Sequence, residues 1–469
     1  MSIKRADNLK LKYLTIFTAL IFVSILVFFL LYSKPGVSPD GLDHLNFAIH
    51  GIPKINLIGP ATQDFPIKHV HFYSTGYGYH YFLHFLYKSL AILSSNSINE
   101  TYWITPPFLS KKKLSAAKAN LLLVVRIISV ILTCLQVYVL KKICEILQVD
   151  YIYPIALLWL SISIMFPFLH SNISRDVLIN LLAICFTYNI LSFHIYRKVK
   201  NIKYIMLICA IAPFVQLSLC AFIATVLASY AILYTKSFRD MNREILQIIK
   251  LKKGYLFPVI LGIVAFPATA DLLNKIIQYN SIKPGCEQMF SYEKCREKNT
   301  TFKMYYHLKV LKAKNERINL LAYLKAWYPG LFKRIFGIMG HKSYLNPNAL
   351  SYILINLISI LFIISTAFGI RKKRKSILLL GLISLMYFFV IFYFVNRRIY
   401  LFTGVLSAAL QGRYAFPVYP LMVVFAHSCF GHLHRIVYYS YAFLLFGILL
   451  ATYFIFLSSP QIKSIIMIT

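Results

Sequence analysis

Long apolar runs alternate with short basic segments along most of the chain. Stretches of about 17–25 mostly apolar residues recur, and each is long enough to cross a hydrocarbon core of roughly 30 Å as an α-helix. The predicted spans are Leu14–Tyr32, Asn120–Val139, Ile152–Leu169, Asp176–Tyr196, two short helices within Tyr204–Tyr234 that separate near Pro213–Leu219, Tyr255–Ala270, Ala349–Ile370, Ser376–Val395, Tyr414–Cys429 and Ile436–Leu457. This pattern predicts an all-α polytopic membrane protein with about 11 transmembrane helices, in one integral membrane domain over residues 1–469.

Two long segments, residues 33–118 and 271–348, interrupt the series of spans. The first contains "YGYHYFLHFLYKSLAIL" and the second contains "LAYLKAWYPGLFKRIFGIM". Both stretches are aromatic and amphipathic, which suits a helix that lies at a membrane interface. We therefore expect two large extracytoplasmic loops that carry amphipathic helices.

Lysine and arginine residues indicate the orientation. Lys4, Arg5, Lys10 and Lys12 precede the first span, which lacks a small-residue cleavage site. We therefore expect a retained first span and a cytoplasmic N-terminus. The basic clusters at residues 141–142, 197–203, 236–253 and 371–375 then fall on the same side as the N-terminus, in agreement with the predicted topology.

The composition excludes an ordinary soluble protein, because 59% of the residues are hydrophobic and only 14% are charged. The net charge is +35, from 50 basic and 15 acidic residues. Nucleic acid is the usual partner of so basic a chain, but we find no basic soluble domain to bind it. We expect instead that cationic loops set the topology and contact anionic membrane lipids, with no nucleic-acid partner.

The cysteines and histidines do not form a metal-binding pattern. Six of the eight cysteines lie in or beside apolar runs, whereas Cys286 and Cys295 lie in a polar loop. If that loop is extracytoplasmic, these two form a possible disulfide. A lone cysteine pair is not a zinc framework, and the His69/His71 pair has no matching second pair.

The acidic residues are few, and some of them lie against the outer ends of predicted spans. Asp40, Asp43 and His44 occupy five residues just beyond the first span, which is difficult to explain as helix capping. Asp271 ends the seventh span. Asp176 begins the fourth span, and for this residue a simple N-cap and a functional role are both open.

Arginines approach the same outer side of the membrane. Arg126 lies inside the second span, where a guanidinium needs an anion or a cavity, or reaches the interface by snorkelling. Arg175 flanks the fourth span, and Arg413 stands at the entrance to the tenth, with Arg397 and Arg398 upstream. Guanidinium groups bind phosphate through paired donors, so we expect an outer cavity lined by carboxylates and arginines.

These features resemble the GT-C superfamily of membrane glycosyltransferases, which use polyprenyl-phosphate sugars. The chain resembles more closely the bacterial membrane-protein family catalogued as domain of unknown function 2142. That family has a Pro-Asp-Glu-x-x-His motif after the first span and a late Gln-Gly-Arg-Tyr-x-x-Pro motif. The matching segments here, in order, are "PDGLDH" (Pro39–His44), "NISRD" (Asn172–Asp176), "FGIMGHKSYLNP" (Phe336–Pro347) and "QGRYAFP" (Gln411–Pro417).

The resemblance departs at one position, because Gly41 stands where the family motif has glutamate. Asp40 is the essential acid, or Asp43 has taken over the lost role, or this chain has lost activity. A divalent cation held by Asp40 and Asp43 remains an alternative, although the family pattern favours no metal and no other cofactor.

The resemblance implies an inverting glycosyltransferase of the bacterial inner membrane. It would transfer a sugar from a polyprenyl-phosphate donor to a glycan or lipid acceptor on the extracytoplasmic face. The implied catalytic residues are Asp40, Asp43 and His44, and the implied lipid-phosphate and substrate-binding residues are Arg126, Arg175, Asp176, Gln411, Arg413 and Tyr414. A transporter or flippase of lipid-linked glycans and a non-catalytic scaffold of a glycan-assembly complex are the alternatives.

Overall fold

The computed structural model describes residues 8–33, 44, 48, 78–93, 116–249, 256–298, 317–336, 338–339, 342–343, 348–372, 374–403, 410–432 and 434–459. These parts of the chain are almost entirely helical. The helices are α1 (Asn8–Tyr32), α2 (Gly78–Leu93), α3 (Ala116–Ile146), α4 (Ile152–Ile162), α5 (Met165–His170), α6 (Arg175–Tyr196), α7 (Val199–Val215), α8 (Leu217–Leu233), α9 (Thr235–Ile249), α10 (Leu256–Tyr279), α11 (Cys286–Met289), α12 (Tyr292–Lys298), α13 (Leu320–Phe336), α14 (Asn348–Arg371), α15 (Lys375–Val390), α16 (Arg398–Thr403), α17 (Tyr419–Ala426) and α18 (Arg435–Ser458).

Shorter elements connect some of these helices. A π-helical segment, Ile391–Arg397, joins α15 to α16, and 3₁₀ turns at Gly412–Ala415 and Ser428–His432 flank α17. A two-stranded antiparallel ladder pairs β1 (Ile338–Met339) with β2 (Lys342–Ser343) after α13.

The described helices are those of a multi-pass membrane protein. Seven of them are long and apolar enough to cross a membrane, and they include α1, α3, α6, α10, α14, α15 with its extension, and α18. Three shorter apolar helices, Asp150–Ile162, Leu217–Leu233 and Tyr419–Gly431, lie among them. The fold class is therefore the expected one, and the number of about eleven spans, inferred from run lengths, stays a prediction.

Two predicted spans are interrupted because prolines stop them. The predicted span Ile152–Leu169 is divided into α4 and α5 at Ser163. Pro167 cannot donate to the Ser163 carbonyl, and its ring clashes with that position of a continuous helix. The predicted span Tyr414–Cys429 is likewise shortened to α17, with Pro420 in its first turn. Every residue of α4 and α17 is buried, so both helices form the centre of the bundle.

Helix α10 is longer than predicted. Helix α10 continues past Ala270 to Tyr279, because Asp271 and Lys275 pair across one helical turn, 2.6 Å apart, and stay buried. The helix therefore extends into the segment predicted as the second loop, and the bounds of that loop stay a prediction. Helices α7 and α8 separate at Gln216, inside the predicted break at Pro213–Leu219.

The long helices bring several of the candidate residues to one end of the bundle. Helix α6 packs along α3, and α17 packs against α4, α14 and α15. The N-terminus of α6, the C-terminal extension of α15 and the 3₁₀ turn before α17 lie at this end, where an ion pair joins Asp176 to Arg413. This end, called the polar end below, contains the candidate site.

Candidate functional site

The first turn of α6 presents Asp176 to the polar end. Ser174 has extended backbone angles and is the N-cap residue, and its hydroxyl accepts a hydrogen bond from the Asp176 backbone N–H at 3.2 Å. The capping role therefore belongs to Ser174. The Asp176 carboxylate is stabilised by the helix dipole and faces other groups of the site.

The Gln-Gly-Arg-Tyr segment meets Asp176 directly. Arg413 Nη1 lies 3.7 Å from Asp176 Oδ2, and the two side chains are 10% and 14% exposed. The Arg413 Nε–H donates to Gln411 Oε1 at 2.6 Å, and the guanidinium lies 5.8 Å from the centre of the Tyr414 ring. The structure thus brings together four of the predicted site residues.

Gly412 allows this segment to lie against α13. A Cβ atom at position 412 would stand 2.6 Å from the backbone carbon and oxygen of Arg334 and 2.7 Å from the Ile335 nitrogen. The Arg334 guanidinium also donates to the Leu410 carbonyl. The glycine of the motif is therefore required by close backbone packing, which fixes the position of Arg413.

Helix α2 connects the His44 segment to the same site. His44 Nδ1 and His80 Nε2 are 2.8 Å apart, and both side chains are buried. His84 Nδ1–H donates to the Ala48 carbonyl at 2.8 Å, so the chain beyond His44 is also attached to α2. Asp40 and Asp43 lie outside the described residues, and Asp43 immediately precedes His44.

Tyr79 connects α2 to the start of α6, because it packs in one buried cluster with Ile173 and interacts electrostatically with Asp176. Its ring lies 6.0 Å from the His44 ring, edge to face, and its side chain is buried. Burial and the negative charge of Asp176 both raise the pKa of the Tyr79 hydroxyl, which therefore keeps its proton. Sequence reasoning missed Tyr79 and His80 because only the fold brings α2 to this position.

Arg126 has a different environment from the other candidate arginines. It is fully buried, and its two terminal nitrogens donate to the Leu30 and Ser33 carbonyls at 2.9 Å each. These carbonyls lie at the C-terminal end of α1. The last carbonyls of a helix have no hydrogen-bond donor within the helix, so a cation there donates to them and interacts favourably with the helix dipole. This geometry favours a helix-capping role for Arg126 over substrate binding.

Three basic side chains, one of which adjoins Asp176 in the sequence, interact electrostatically. Lys283 is exposed, yet surrounding protein and the charges of Arg175 and Arg398 lower the pKa of its ammonium group. These residues come from the loop after α10, the start of α6 and the start of α16. Sequence reasoning selected Arg175 but missed Lys283.

A disulfide fixes the loop that carries Lys283. Cys286 and Cys295 are bonded, with their Cα atoms 5.9 Å apart. The Gln288 side chain also accepts from Gly285 N–H at 2.7 Å and donates to the Tyr279 carbonyl at 3.1 Å. Lys283 is therefore held between the end of α10 and a cross-linked turn.

An apolar cavity of about 960 Å³ opens between α13, α14 and α15. Its walls are almost entirely aliphatic and aromatic, and include Trp327, Phe332, Ile358 and Phe389. Phe394, in the extension of α15, also lines it, and this extension continues to Arg397 and Arg398.

Among the described residues, no three histidine, cysteine or acidic side chains converge as metal ligands. Comparison with known proteins gives no family: no protein-family model matches the sequence, and no curated protein matches it significantly. The resemblance to the GT-C superfamily therefore rests on the sequence motifs, and its consequences are proposals.

Proposed function

We propose that this protein is an inverting membrane glycosyltransferase. It transfers a sugar from a polyprenyl-phosphate donor to a glycan or lipid acceptor on the extracytoplasmic face of a bacterial inner membrane. The observation that carries this proposal is the link between two distant motifs. His44 is attached to α2 through His80, and α2 packs through Tyr79 against the start of α6, where Asp176 pairs with Arg413. Arg175 directly precedes Asp176, and the helix α13 on which Gly412 packs also lines the apolar cavity.

The proposed reaction is a single displacement. An acceptor hydroxyl oxygen attacks the anomeric carbon, the bond from that carbon to the phosphate oxygen breaks, and the hydroxyl proton passes to a carboxylate. Asp40 or Asp43 is the proposed base. The contact of His44 with His80 supports a role for His44 in holding the acidic segment against α2.

The leaving group is a lipid phosphate, and its developing charge needs cations that are in place before the reaction. Arg175, Lys283 and Arg398 supply such charges from three separate elements. Arg413 already lies beside Asp176, so we assign it to organising the site with Gln411. The apolar cavity is suited to part of the prenyl chain, because its volume is in the upper part of the range of ligand pockets.

Transfer of labelled sugar in membrane vesicles tests the proposal. We expect Asp40→Asn/Asp43→Asn to abolish transfer and Arg413→Gln to lower it at least tenfold, with protein levels unchanged. Arg197→Gln is the matched control, because Arg197 pairs with Asp240 at 3.5 Å among exposed residues at the other end of α6. Full activity of the double mutant would contradict the proposal.

A flippase for lipid-linked glycans is the second candidate, and one observation favours it. Asp271 and Lys275 form an ion pair inside α10, with side chains only 3% and 2% exposed. Buried charges within a span are typical of transport pathways. If this candidate is correct, vesicles will move the glycolipid across the bilayer without forming a glycosidic bond, and Asp271→Asn will stop that movement.

A further inference from the structure

We propose that Tyr79, Asp176 and Arg413 form a subsite for a hydroxyl group of the donor sugar, with the Tyr79 hydroxyl as its hydrogen-bond donor. This inference rests on the proposed function and names a substrate-binding residue that the motifs do not contain. Tyr79 is the second residue of α2, and α2 is the helix to which His44 is attached.

The Tyr79 hydroxyl lacks a hydrogen-bond partner within the described structure. Its side chain is 3% exposed, and its oxygen contacts no donor or acceptor with hydrogen-bond geometry. The Ser174 backbone amide lies nearby and slightly opposes the raised pKa, but it is outside that geometry. A buried polar group without a partner is costly, and phenylalanine would avoid the cost. The expected hydrogen-bond partner of the Tyr79 hydroxyl is therefore a group of the bound ligand.

The three side chains together match an alcohol. Asp176 accepts hydrogen bonds, Arg413 donates them, and Tyr79 remains a protonated donor because burial and Asp176 raise its pKa. A sugar hydroxyl can donate to Asp176 while it accepts from Tyr79. A phosphate oxygen can only accept, and the Asp176 carboxylate repels it.

The phosphate has a better-matched position nearby. The surrounding protein and the charges of Arg175 and Arg398 lower the pKa of Lys283, and a bound anion would oppose that lowering. The sugar and the phosphate of one donor would thus contact different groups: the sugar would contact Tyr79, Asp176 and Arg413, and the phosphate would contact Arg175, Lys283 and Arg398.

The variant Tyr79→Phe tests the inference in purified full-length protein, by thermal unfolding in detergent. The probes are undecaprenyl phosphate and a panel of undecaprenyl-phosphate monosaccharides that carry glucose, galactose, mannose or N-acetylglucosamine. Wild type should be stabilised more by one sugar-bearing lipid than by undecaprenyl phosphate. Tyr79→Phe should unfold no earlier than wild type without lipid and keep the response to undecaprenyl phosphate. It should bind the sugar-bearing lipid roughly three- to tenfold more weakly.

Tyr323→Phe is the matched control, because the Tyr323 hydroxyl is also buried and without a partner in the described structure, but belongs to α13. It should keep the full sugar-dependent difference. The subsite is overturned if Tyr79→Phe keeps that difference, if it weakens both lipids equally, or if wild type shows no such difference with any sugar. The proposed function fails separately, if sugar-dependent binding requires Tyr79 but the double mutant of Asp40 and Asp43 still transfers sugar.

Discussion

Replacing Gly412 by alanine tests whether the packing of the Gln-Gly-Arg-Tyr segment on α13 holds the candidate site together. The new Cβ would lie 2.6 Å from the carbonyl carbon and oxygen of Arg334. Both are backbone atoms of a buried helix end and cannot rotate away. The two segments must separate by about 0.8 Å, from 2.6 Å to the 3.4 Å at which ordinary contact begins.

The expected cost follows from this separation. Overpacking a close contact in a protein interior destabilises by about 1–3 kcal/mol. The same movement shifts Arg413, the next residue, whose Nη1 is already 3.7 Å from Asp176. A further displacement of this size would disrupt the ion pair. Gly412→Ala should therefore lose transfer activity as well as stability.

Thermal unfolding of the purified protein in detergent measures the stability effect, and we expect the midpoint to fall by roughly 1–3 °C. Gly262→Ala and Gly447→Ala are controls, because a Cβ at either position meets nothing within 4 Å. Both lie inside helices, where alanine should stabilise by about 0.5–1 kcal/mol. A Gly412→Ala protein that unfolds like these controls and keeps full activity would refute the packing argument.

Three further predictions concern other parts of the polar end. Arg126→Met removes the donors to the buried Leu30 and Ser33 carbonyls, so it should destabilise the protein by about 2–5 kcal/mol, as measured by thermal unfolding, and Arg126→Lys should recover part of this loss. Cys295→Ser should increase hydrogen exchange around Lys283, because a disulfide that closes a loop of this length stabilises the folded state by about 2–3 kcal/mol. A reductant should increase hydrogen exchange in the wild type in the same way and leave the variant unchanged. Because the pKa of Lys283 is lowered in the folded protein, the unfolded chain keeps the Lys283 ammonium proton to a higher pH than the folded protein does. Lipid-free stability should therefore rise as pH increases through the lowered pKa towards the ordinary value of 10.5, and Lys283→Met should remove that rise.

The apolar pattern predicted helices well where one face meets lipid. The predicted starts and ends of α6 and α18 agree with the structure to within a residue. Hydropathy could not distinguish these helices from α4 and α17, which are apolar on every side because protein surrounds them. It also ended α10 too early, since the charges of Asp271 and Lys275 cancel within the helix.

The sequence predicted site residues within each motif but not the contacts between distant segments. Asp176 was selected because acids are few and it begins a span, and Arg413 because a guanidinium at the outer face can bind phosphate; the structure pairs them. Tyr79 and Lys283 were not, because a tyrosine in an amphipathic stretch and a lysine in a basic protein carry no local signal. Their importance depends on contacts between distant segments, which a single sequence does not reveal.

A mass profile of envelope glycans and glycolipids tests the central claim most directly. The profile would compare a deletion strain that carries wild type, Asp40→Asn/Asp43→Asn or Arg413→Gln, each at normal protein level. The proposed function predicts a species that lacks one sugar in the deletion strain and with the double mutant, and a partial defect with Arg413→Gln. A profile fully restored by the double mutant would contradict glycosyl transfer at this site.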